Sequence, residues 1–219
     1  MNRKFSFFFV FLSILFFLSC DNKPTAKNST NTGIKKGVVP IADNEIAVIE
    51  MEQPAFGTIK LELYSNIAPK MVARFKELAK EGVYNGTIFH RINQSVIQAG
   101  DPLSKDDNPA NDGTGKSDKP NVQAEFSDIP YDAGIVGAAR GAQDINSANS
   151  QFFITLKRET GFDNQYTIFG KVIEGMGNVR TIAGAPTVVG PPNEKGVLQK
   201  TERPLENVVI KSITIQPKS

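Results

Sequence analysis

The sequence predicts a mainly β domain, in which a closed eight-stranded antiparallel barrel is capped by two α-helices. Three observations lead to this prediction. About eight short runs of β-branched and aromatic residues are separated by clusters of Gly, Pro, Asn and Asp. Two segments repeat apolar residues at helical spacing. No alternation of strand and helix signals, which would indicate a parallel sheet, runs along the chain.

The first two strands are predicted at residues 46–51 and 58–63 and form a hairpin across the turn at 53–57. A helix over 70–81 follows, opened by Pro69, and Gly82 is its expected stop. One face of this helix is apolar, through Val72, Phe75, Leu78 and Ala79.

The remaining elements are shorter. Strands are expected at residues 87–92, 96–99, 134–138, 151–155, 167–172 and 208–215, and a weaker second helix at 174–182. The pattern contains no internal repeat and no second domain, so that residues 45–219 are predicted to fold as one unit.

The N-terminus has the pattern of a signal peptide, predicted to span residues 1–19. Arg3 and Lys4 precede an apolar run over residues 5–18. At about 1.5 Å per residue this run reaches about 21 Å, which is short of the roughly 30 Å hydrocarbon core of a membrane.

The chain has a single cysteine, Cys20, directly after this run. Phe17-Leu18-Ser19-Cys20 resembles a bacterial lipobox, in which the signal is cut before a cysteine that becomes acylated. An ordinary secretory signal is the alternative. The resemblance predicts a lipoprotein of the bacterial cell envelope, anchored to a lipid bilayer through Cys20 at the outer membrane or the periplasmic face. Residues 20–44, polar and without apolar periodicity, are predicted to be a flexible tether.

The charge of the chain favours no nucleic-acid partner. Removal of residues 1–19 leaves 23 of the 25 basic residues against 23 acidic ones. A near-neutral mature protein has no electrostatic reason to bind a polyanion.

Two segments carry the functional signal. Residues 86–102 read Gly-Thr-Ile-Phe-His-Arg-Ile-Asn-Gln-Ser-Val-Ile-Gln-Ala-Gly-Asp-Pro, and residues 146–155 read Asn-Ser-Ala-Asn-Ser-Gln-Phe-Phe-Ile-Thr. Together they resemble the signature of the cyclophilin family of peptidyl-prolyl isomerases, and the resemblance covers residues 45–215. It implies a prolyl isomerase that acts on proline-containing polypeptides as a monomer, with no metal or other cofactor.

The resemblance also implies the site. Arg91 matches the catalytic arginine, and a guanidinium suits the role because it keeps its proton and offers a fixed fork of donors. Gln98 would orient it. Substrate-binding positions are expected at Phe89, Val96, Ala139, Arg140, Gln151, Phe153, Phe162 and Tyr166. Alternation along a strand predicts that Phe152 and Phe153 point to opposite faces, one to the core and one to the groove.

The chain departs from the family pattern between Arg91 and Gln98. This segment is one residue shorter, so that Ser95 replaces a pocket phenylalanine and Val96 a methionine. The departure keeps two alternatives open: a proline-peptide-binding chaperone or scaffold without catalysis, and a structural barrel of the cell envelope. Other chemistries have little support, because His90 is the single histidine and the chain has no Gly-x-Ser-x-Gly segment.

Overall fold

The computed structural model describes residues 33–106, 108–192, 194 and 198–218. The strands are β1 (Glu45–Met51), β2 (Thr58–Leu63), β3 (Arg91–Ile92), β4 (Val96–Ala99), β5 (Ile135–Ala138), β6 (Phe152–Thr155), β7 (Ile168–Glu174), β8 (Thr187–Pro192), β9 (Leu198–Pro204) and β10 (Ile210–Pro217). The helices are α1 (Pro69–Lys80) and α2 (Met176–Ala183).

Eight strands form one sheet in the order β10-β1-β2-β7-β5-β6-β4-β3. Every neighbouring pair in it is antiparallel, as the sequence predicts for a chain of short strands joined by turns. β8 and β9 pair with each other in a separate two-stranded sheet.

The predicted closure of the barrel is wrong, because the sheet is an open half-barrel. Its end strands, β10 and β3, share no ladder within the described residues. The segments that precede these two strands meet at one isolated bridge, between Ile88 and Val209. Beside this bridge, the Phe89 N–H donates to the Val208 carbonyl at 3.0 Å. With only two residues, Arg91–Ile92, β3 is too short to continue that bridge into a ladder.

The main core lies between one face of the sheet and α1. Phe75 of α1 is fully buried, and its ring centroid is 5.2 Å from that of Tyr84, 5.5 Å from that of Phe152 and 5.2 Å from that of Phe169. Aromatic side chains bury large apolar areas, so this cluster contributes much of the hydrophobic stabilisation.

The prediction for α1 is confirmed within one residue at each end. Pro69 stands in the first turn, where its missing N–H costs no helical hydrogen bond. The chain leaves the helix through Gly82, whose φ of 70° favours glycine. The buried face of the helix consists of Met71, Val72, Phe75, Leu78 and Ala79.

The second helix begins two residues later than predicted, because β7 runs on to Glu174. Gly175 makes the turn between them with a φ of 88°. A Cβ at this position would lie 2.3 Å from the Thr58 carbonyl oxygen, so the close approach of β2 requires a glycine. Val179 and Ile182 anchor α2 in the main core.

The hairpin of β8 and β9 was not predicted from the sequence. Thr187–Pro192 contains Gly190, Pro191 and Pro192, and Leu198–Pro204 is dominated by polar residues. Proline and a lack of apolar alternation both argue against a strand. The hairpin lies outside the main sheet and therefore needs no apolar face.

Part of the predicted tether is described and contacts the domain. The Lys35 ammonium donates to the Ile67 carbonyl at 2.6 Å, and the Gly37 N–H donates to both carboxylate oxygens of Asp128, at 2.9 and 3.1 Å. Residues 33–44 therefore follow the surface of the domain, whereas residues 20–32 lie outside the described part.

Asp43 ends this segment in a partly buried cluster. Its carboxylate accepts hydrogen bonds from the Ser65 hydroxyl at 2.7 Å and from the Lys76 ammonium at 2.6 Å. Burial opposes the charge on Asp43, but the hydrogen bonds from Lys76 and Ser65 outweigh it and lower the pKa of this carboxyl. The cluster joins the end of the segment to α1.

Neither described helix has the length and apolar character that a membrane span requires. The predicted signal peptide and Cys20 lie outside the described residues.

Candidate active site

A groove of about 330 Å³ lies beside β3, β4 and β6, on the face of the sheet opposite the main core. It brings together eight of the ten site residues that the sequence predicts, namely Arg91, Val96, Gln98, Ala139, Arg140, Phe153, Phe162 and Tyr166. A second cavity of about 240 Å³ shares Gln98, Gly113, Ala139 and Arg140 with it and includes Gln151. The two cavities therefore form one extended surface.

A row of hydrogen-bonded side chains crosses the groove. Arg91 of β3 is paired with Gln98 of β4, and its Nη1 donates to the Gln98 Oε1 at 3.3 Å. Gln98 Nε2 donates in turn to Gln151 Oε1 at 2.9 Å. Gln151 Nε2 is held by the carbonyls of Gly113 and Gly115, at 3.0 and 2.8 Å. The orientation of the guanidinium is thus tied to a fixed loop backbone.

The apolar wall of the groove is an aromatic cluster around Phe153. The ring centroid of Phe153 is 5.5 Å from those of Phe162 and Tyr166, both in edge-to-face geometry. Tyr131 stacks on its other side at 5.8 Å. Tyr131 is fully buried and was not predicted as part of the site, because its contact with Phe153 is made across the fold.

The predicted alternation of the two phenylalanines is confirmed. Phe152 belongs to the main core, whereas Phe153 belongs to a second cluster below the groove, together with Tyr131. Opposite Phe153 on the neighbouring strand lies Gly137. A Cβ there would lie 2.3 Å from the Phe153 Cζ, so the absence of a side chain at Gly137 makes the space for the ring.

The rim of the groove is formed by Ala139 and Arg140. The Ala139 N–H donates to the Gln151 carbonyl at 2.9 Å, which continues the pairing beyond β5 and β6. The Arg140 guanidinium lies 4.7 Å from the centroid of the Tyr166 ring and donates to the Gln165 carbonyl at 3.1 Å. Cation–π contact and hydrogen bond together hold Arg140 against Tyr166.

Phe89 is a correction to the predicted site. It is fully buried in the main core, 6.4 Å from Phe152 by ring centroids, and it does not line the groove. The chain between the bridge at Ile88 and the start of β3 is not a regular strand, so that Phe89 and Arg91 do not share a face. Ser95 also lies outside the groove lining, and Val96 lines it instead.

Two residues of the unpredicted hairpin reach the groove. The Glu202 carboxylate forms an ion pair with the Arg91 Nε, and its other oxygen accepts from the Asn93 Nδ2 at 2.9 Å. Arg203 pairs with Asp112 at 2.7 Å. The local sequence around Glu202 and Arg203 does not predict that they belong to the site, because Glu202 lies 111 positions from Arg91 in the chain.

His90 is buried at the edge of the groove, and its Nδ1 has no hydrogen-bond partner among the described residues. Burial lowers the pKa of its imidazole, against the opposing effect of the carboxylates of Asp101 and Asp112. His90 is therefore neutral at neutral pH. Within the described part of the chain, no group of three or more His, Cys, Asp or Glu side chains is placed to hold a metal ion.

Comparison with known proteins identifies a family. The family model for cyclophilin type peptidyl-prolyl cis-trans isomerases matches residues 47–215. A Brucella suis protein named probable peptidyl-prolyl cis-trans isomerase is 45% identical over 131 residues, which cover 58% of this chain and 66% of that protein. The chain thus spans slightly less than two thirds of this relative. Peptidyl-prolyl cis-trans isomerase-like 3 of Gallus gallus is 36% identical over 166 residues, 73% of this chain and 90% of that protein.

Solved structures agree with this assignment. The crystal structure of a Cryptosporidium parvum cyclophilin type peptidyl-prolyl cis-trans isomerase has a TM-score of 0.66 and 29% sequence identity, and the match covers 80% of this chain and 99% of that one. The structure of the same protein in the presence of the dipeptide Ala-Pro has a TM-score of 0.66 and 28% identity, with 79% and 99% covered.

The space at Gly137 generates a first prediction. In Gly137→Ala the new methyl group collides with Phe153 and with the Tyr131 hydroxyl, so we expect the free energy of unfolding to fall by about 1–3 kcal/mol. Urea denaturation measures the change. Gly177→Ala in α2 is the matched control, because a Cβ there meets nothing within 4 Å. Equal stability of the two variants would contradict the packing described here.

The buried imidazole generates a second prediction. Burial holds the folded-state pKa of His90 below the ordinary imidazole value of 6.5, so the unfolded chain takes up the proton first as the pH falls. The contribution of the neutral imidazole to the free energy of unfolding is therefore fully present above about pH 6.5. It is lost as the pH falls towards the folded-state pKa, and the free energy of unfolding then changes by at most about 1.4 kcal/mol per pH unit.

Urea denaturation between pH 7 and pH 5 measures this slope. His90 is the only histidine of the chain, so His90→Phe is expected to remove most of the pH dependence in this interval. An unchanged slope in the variant would show that another group titrates there.

Proposed function

Because the chain belongs to the cyclophilin family of peptidyl-prolyl cis-trans isomerases, we propose that it accelerates rotation about X-Pro bonds in exported polypeptides and so assists their folding. The observation that carries this proposal is the position of Arg91, whose guanidinium lines the same groove as the aromatic wall around Phe153. The Cryptosporidium relative studied with Ala-Pro supports a proline-containing peptide as the ligand.

The reaction needs no bond cleavage. Rotation about an X-Pro bond breaks the amide resonance, with a barrier of about 20 kcal/mol. In the twisted state the proline nitrogen becomes pyramidal and carries a lone pair. A donor that binds this lone pair stabilises the twisted state more than the planar one, and such differential stabilisation is what accelerates a reaction.

Arg91 is the proposed donor. A guanidinium remains protonated at physiological pH, so that a hydrogen bond to the proline nitrogen is available throughout. Gln98 orients it through the bond to Nη1, and Gln151 fixes Gln98. The role of these glutamines is to hold the donor in place before the peptide arrives, which reduces the entropy lost at the transition state.

The proline ring is proposed to lie against Phe153, Phe162 and Val96. Phe153 and Phe162 meet edge to face, which leaves an apolar surface beside the guanidinium. The peptide residues before proline are proposed to lie along Ala139, Arg140 and Gln151, where the second cavity continues the groove. One chain supplies every residue of this site, so we propose a monomer.

A non-catalytic binding module is the second candidate. The observation that favours it is the ion pair of Arg91 with Glu202, which occupies one donor of the proposed catalytic group. A peptide-binding groove would keep its affinity without turnover. The isomerase assay below separates this module from the enzyme.

The cellular setting is proposed from the N-terminal pattern. The apolar run over residues 5–18 followed by Cys20 supports export and acylation, which would attach the protein to the bacterial cell envelope. The hydrogen bonds of residues 33–44 to the domain place the last segment of the chain before β1 on the protein surface.

The proposed donor is tested by Arg91→Ala. Loss of one preorganised donor is expected to lower kcat/KM by about 100-fold to 1,000-fold in a protease-coupled assay on a proline-containing peptide. Arg91→Lys keeps the charge but not the fork and should recover activity only in part. Lys211→Ala, on the exposed side of β10, is the control for the loss of one cation. Good peptide binding without turnover in the wild-type protein would favour the module.

The anchor is tested by Cys20→Ala. Without the thiol no acyl chain can be attached, so the variant should lose labelling by a fatty-acid analogue. Ser19→Ala is the control, because it keeps the cysteine. A variant that is still labelled would exclude the lipoprotein proposal.

A further inference from the structure

The hairpin of β8 and β9 contributes two adjacent residues to the groove. Glu202 points towards Arg91 and Arg203 towards Asp112, and all four line the groove. The hairpin therefore forms part of the wall of the site.

Arg203 fixes the hairpin in this place. Its Nε donates to the Asp112 carboxylate at 2.7 Å, and its Nη2 donates to Asn207 Oδ1 at 3.0 Å. The Asp112 side chain is only 7% exposed, so this contact is largely shielded from solvent. A shielded ion pair with additional hydrogen bonds has a defined geometry, and it sets the position of the neighbouring Glu202.

Glu202 is held at both carboxylate oxygens. One accepts from the Arg91 Nε and the other from the Asn93 Nδ2 at 2.9 Å. Asn93 is itself immobilised, because its Oδ1 accepts from the backbone N–H groups of Ser95 and Val96 at 2.8 and 2.9 Å. The short loop between β3 and β4 thus presents a fixed amide to Glu202.

The carboxylate is charged at neutral pH. Burial opposes its ionisation, but the hydrogen bonds from Arg91 and Asn93 outweigh this effect and lower the pKa of Glu202. The contact with Arg91 is therefore a charge-assisted hydrogen bond.

Glu202 and Gln98 contact different nitrogens of the Arg91 guanidinium. Glu202 takes the Nε–H, and Gln98 takes one N–H of Nη1. The Nη2 group donates to no acceptor within the described residues, and it remains for a ligand in the groove. Glu202 and Gln98 hold two of the three nitrogens, so the plane of the guanidinium is fixed while both N–H groups of Nη2 stay unblocked.

Stability of the fold does not explain the ion pair. The side chains of Arg91 and Glu202 are 45% and 48% exposed, and ion pairs in such surroundings contribute little to folding. Its effect is expected on the reaction, where a small displacement of a catalytic group has large consequences.

We propose that Glu202 is a positioning residue for Arg91, and that the β8–β9 hairpin thereby belongs to the isomerase site. This inference rests on the proposed function of Arg91. Glu202 holds Nε and Gln98 holds Nη1, so the guanidinium is in its working orientation before a proline peptide enters the groove.

The test compares two substitutions in the full chain. Glu202→Ala removes the acceptor, and kcat is expected to fall about tenfold while KM changes less than about twofold. Glu202→Gln removes the charge but keeps an oxygen for Nε, and its kcat is expected to stay within about twofold of wild type. Glu206→Ala, an exposed carboxylate of the next loop, controls for the loss of one negative charge and should leave kcat unchanged.

Two further measurements distinguish positioning from a structural effect. The Nε–H resonance of Arg91, assigned by its loss in Arg91→Lys, should be protected from exchange in wild type and in Glu202→Gln but not in Glu202→Ala. In an Arg91→Ala background, adding Glu202→Ala should change the residual activity by less than about twofold, because the residue acts through Arg91.

The possible failures are separable. If Arg91→Ala keeps full activity, the proposed function of Arg91 fails, and with it any role of Glu202. If Arg91→Ala loses activity but Glu202→Ala does not, only the positioning role is overturned. A rise of kcat in both Glu202 variants would show that the carboxylate restrains Arg91. If Glu202→Ala lowers activity by the same factor in wild type and in Arg91→Ala, its effect is structural. Either result overturns the proposal.

Discussion

The register of the central strands is the constraint on which the site depends. Arg91 lies opposite Gln98, Gln98 opposite Phe153, and Phe153 opposite Gly137, in a row across β3, β4, β6 and β5. Directly opposed residues share one face of a sheet. This row therefore places the guanidinium of Arg91, the amide of Gln98, the ring of Phe153 and the space that Gly137 leaves for that ring side by side. The neighbouring row, which includes Ile92, points into the main core. A slip of one residue would exchange the two rows, and burial of the core therefore also maintains the site.

The site is assembled from parts with different mechanical roles. The strands set the spacing of Arg91, Gln98 and Phe153, and the hydrogen bonds between the paired strands resist displacement of these residues. The loop around Gly113 adds a fixed backbone to which the glutamine row is attached. The β8–β9 hairpin closes the remaining side through a shielded ion pair, at Asp112. The groove is thus preorganised on three sides, as a catalyst that works by electrostatic stabilisation requires.

Much of this could be predicted from local sequence. The helix α1 follows from apolar spacing and from Pro69 and Gly82, and each strand of the main sheet except the shortened β3 follows from a run of β-branched and aromatic residues between turn signals. The opposite orientations of Phe152 and Phe153 follow from strand geometry alone. The resemblance to cyclophilins supplied the positions of Arg91 and Gln98. Phe89 was misplaced, because the chain before β3 loses its regular alternation, which no local pattern indicates.

Periodicity and motifs of consecutive residues were enough to predict the class of the domain, its family and most residues that line the groove. Three features became visible only in the folded chain: the sheet is an open half-barrel, Tyr131 supports Phe153, and Glu202 reaches Arg91. The physical reason is the same in each case. Closure, stacking and ion pairing depend on distances between residues far apart in the chain, and a polar hairpin such as Leu198–Pro204 has no apolar pattern to reveal where it will lie.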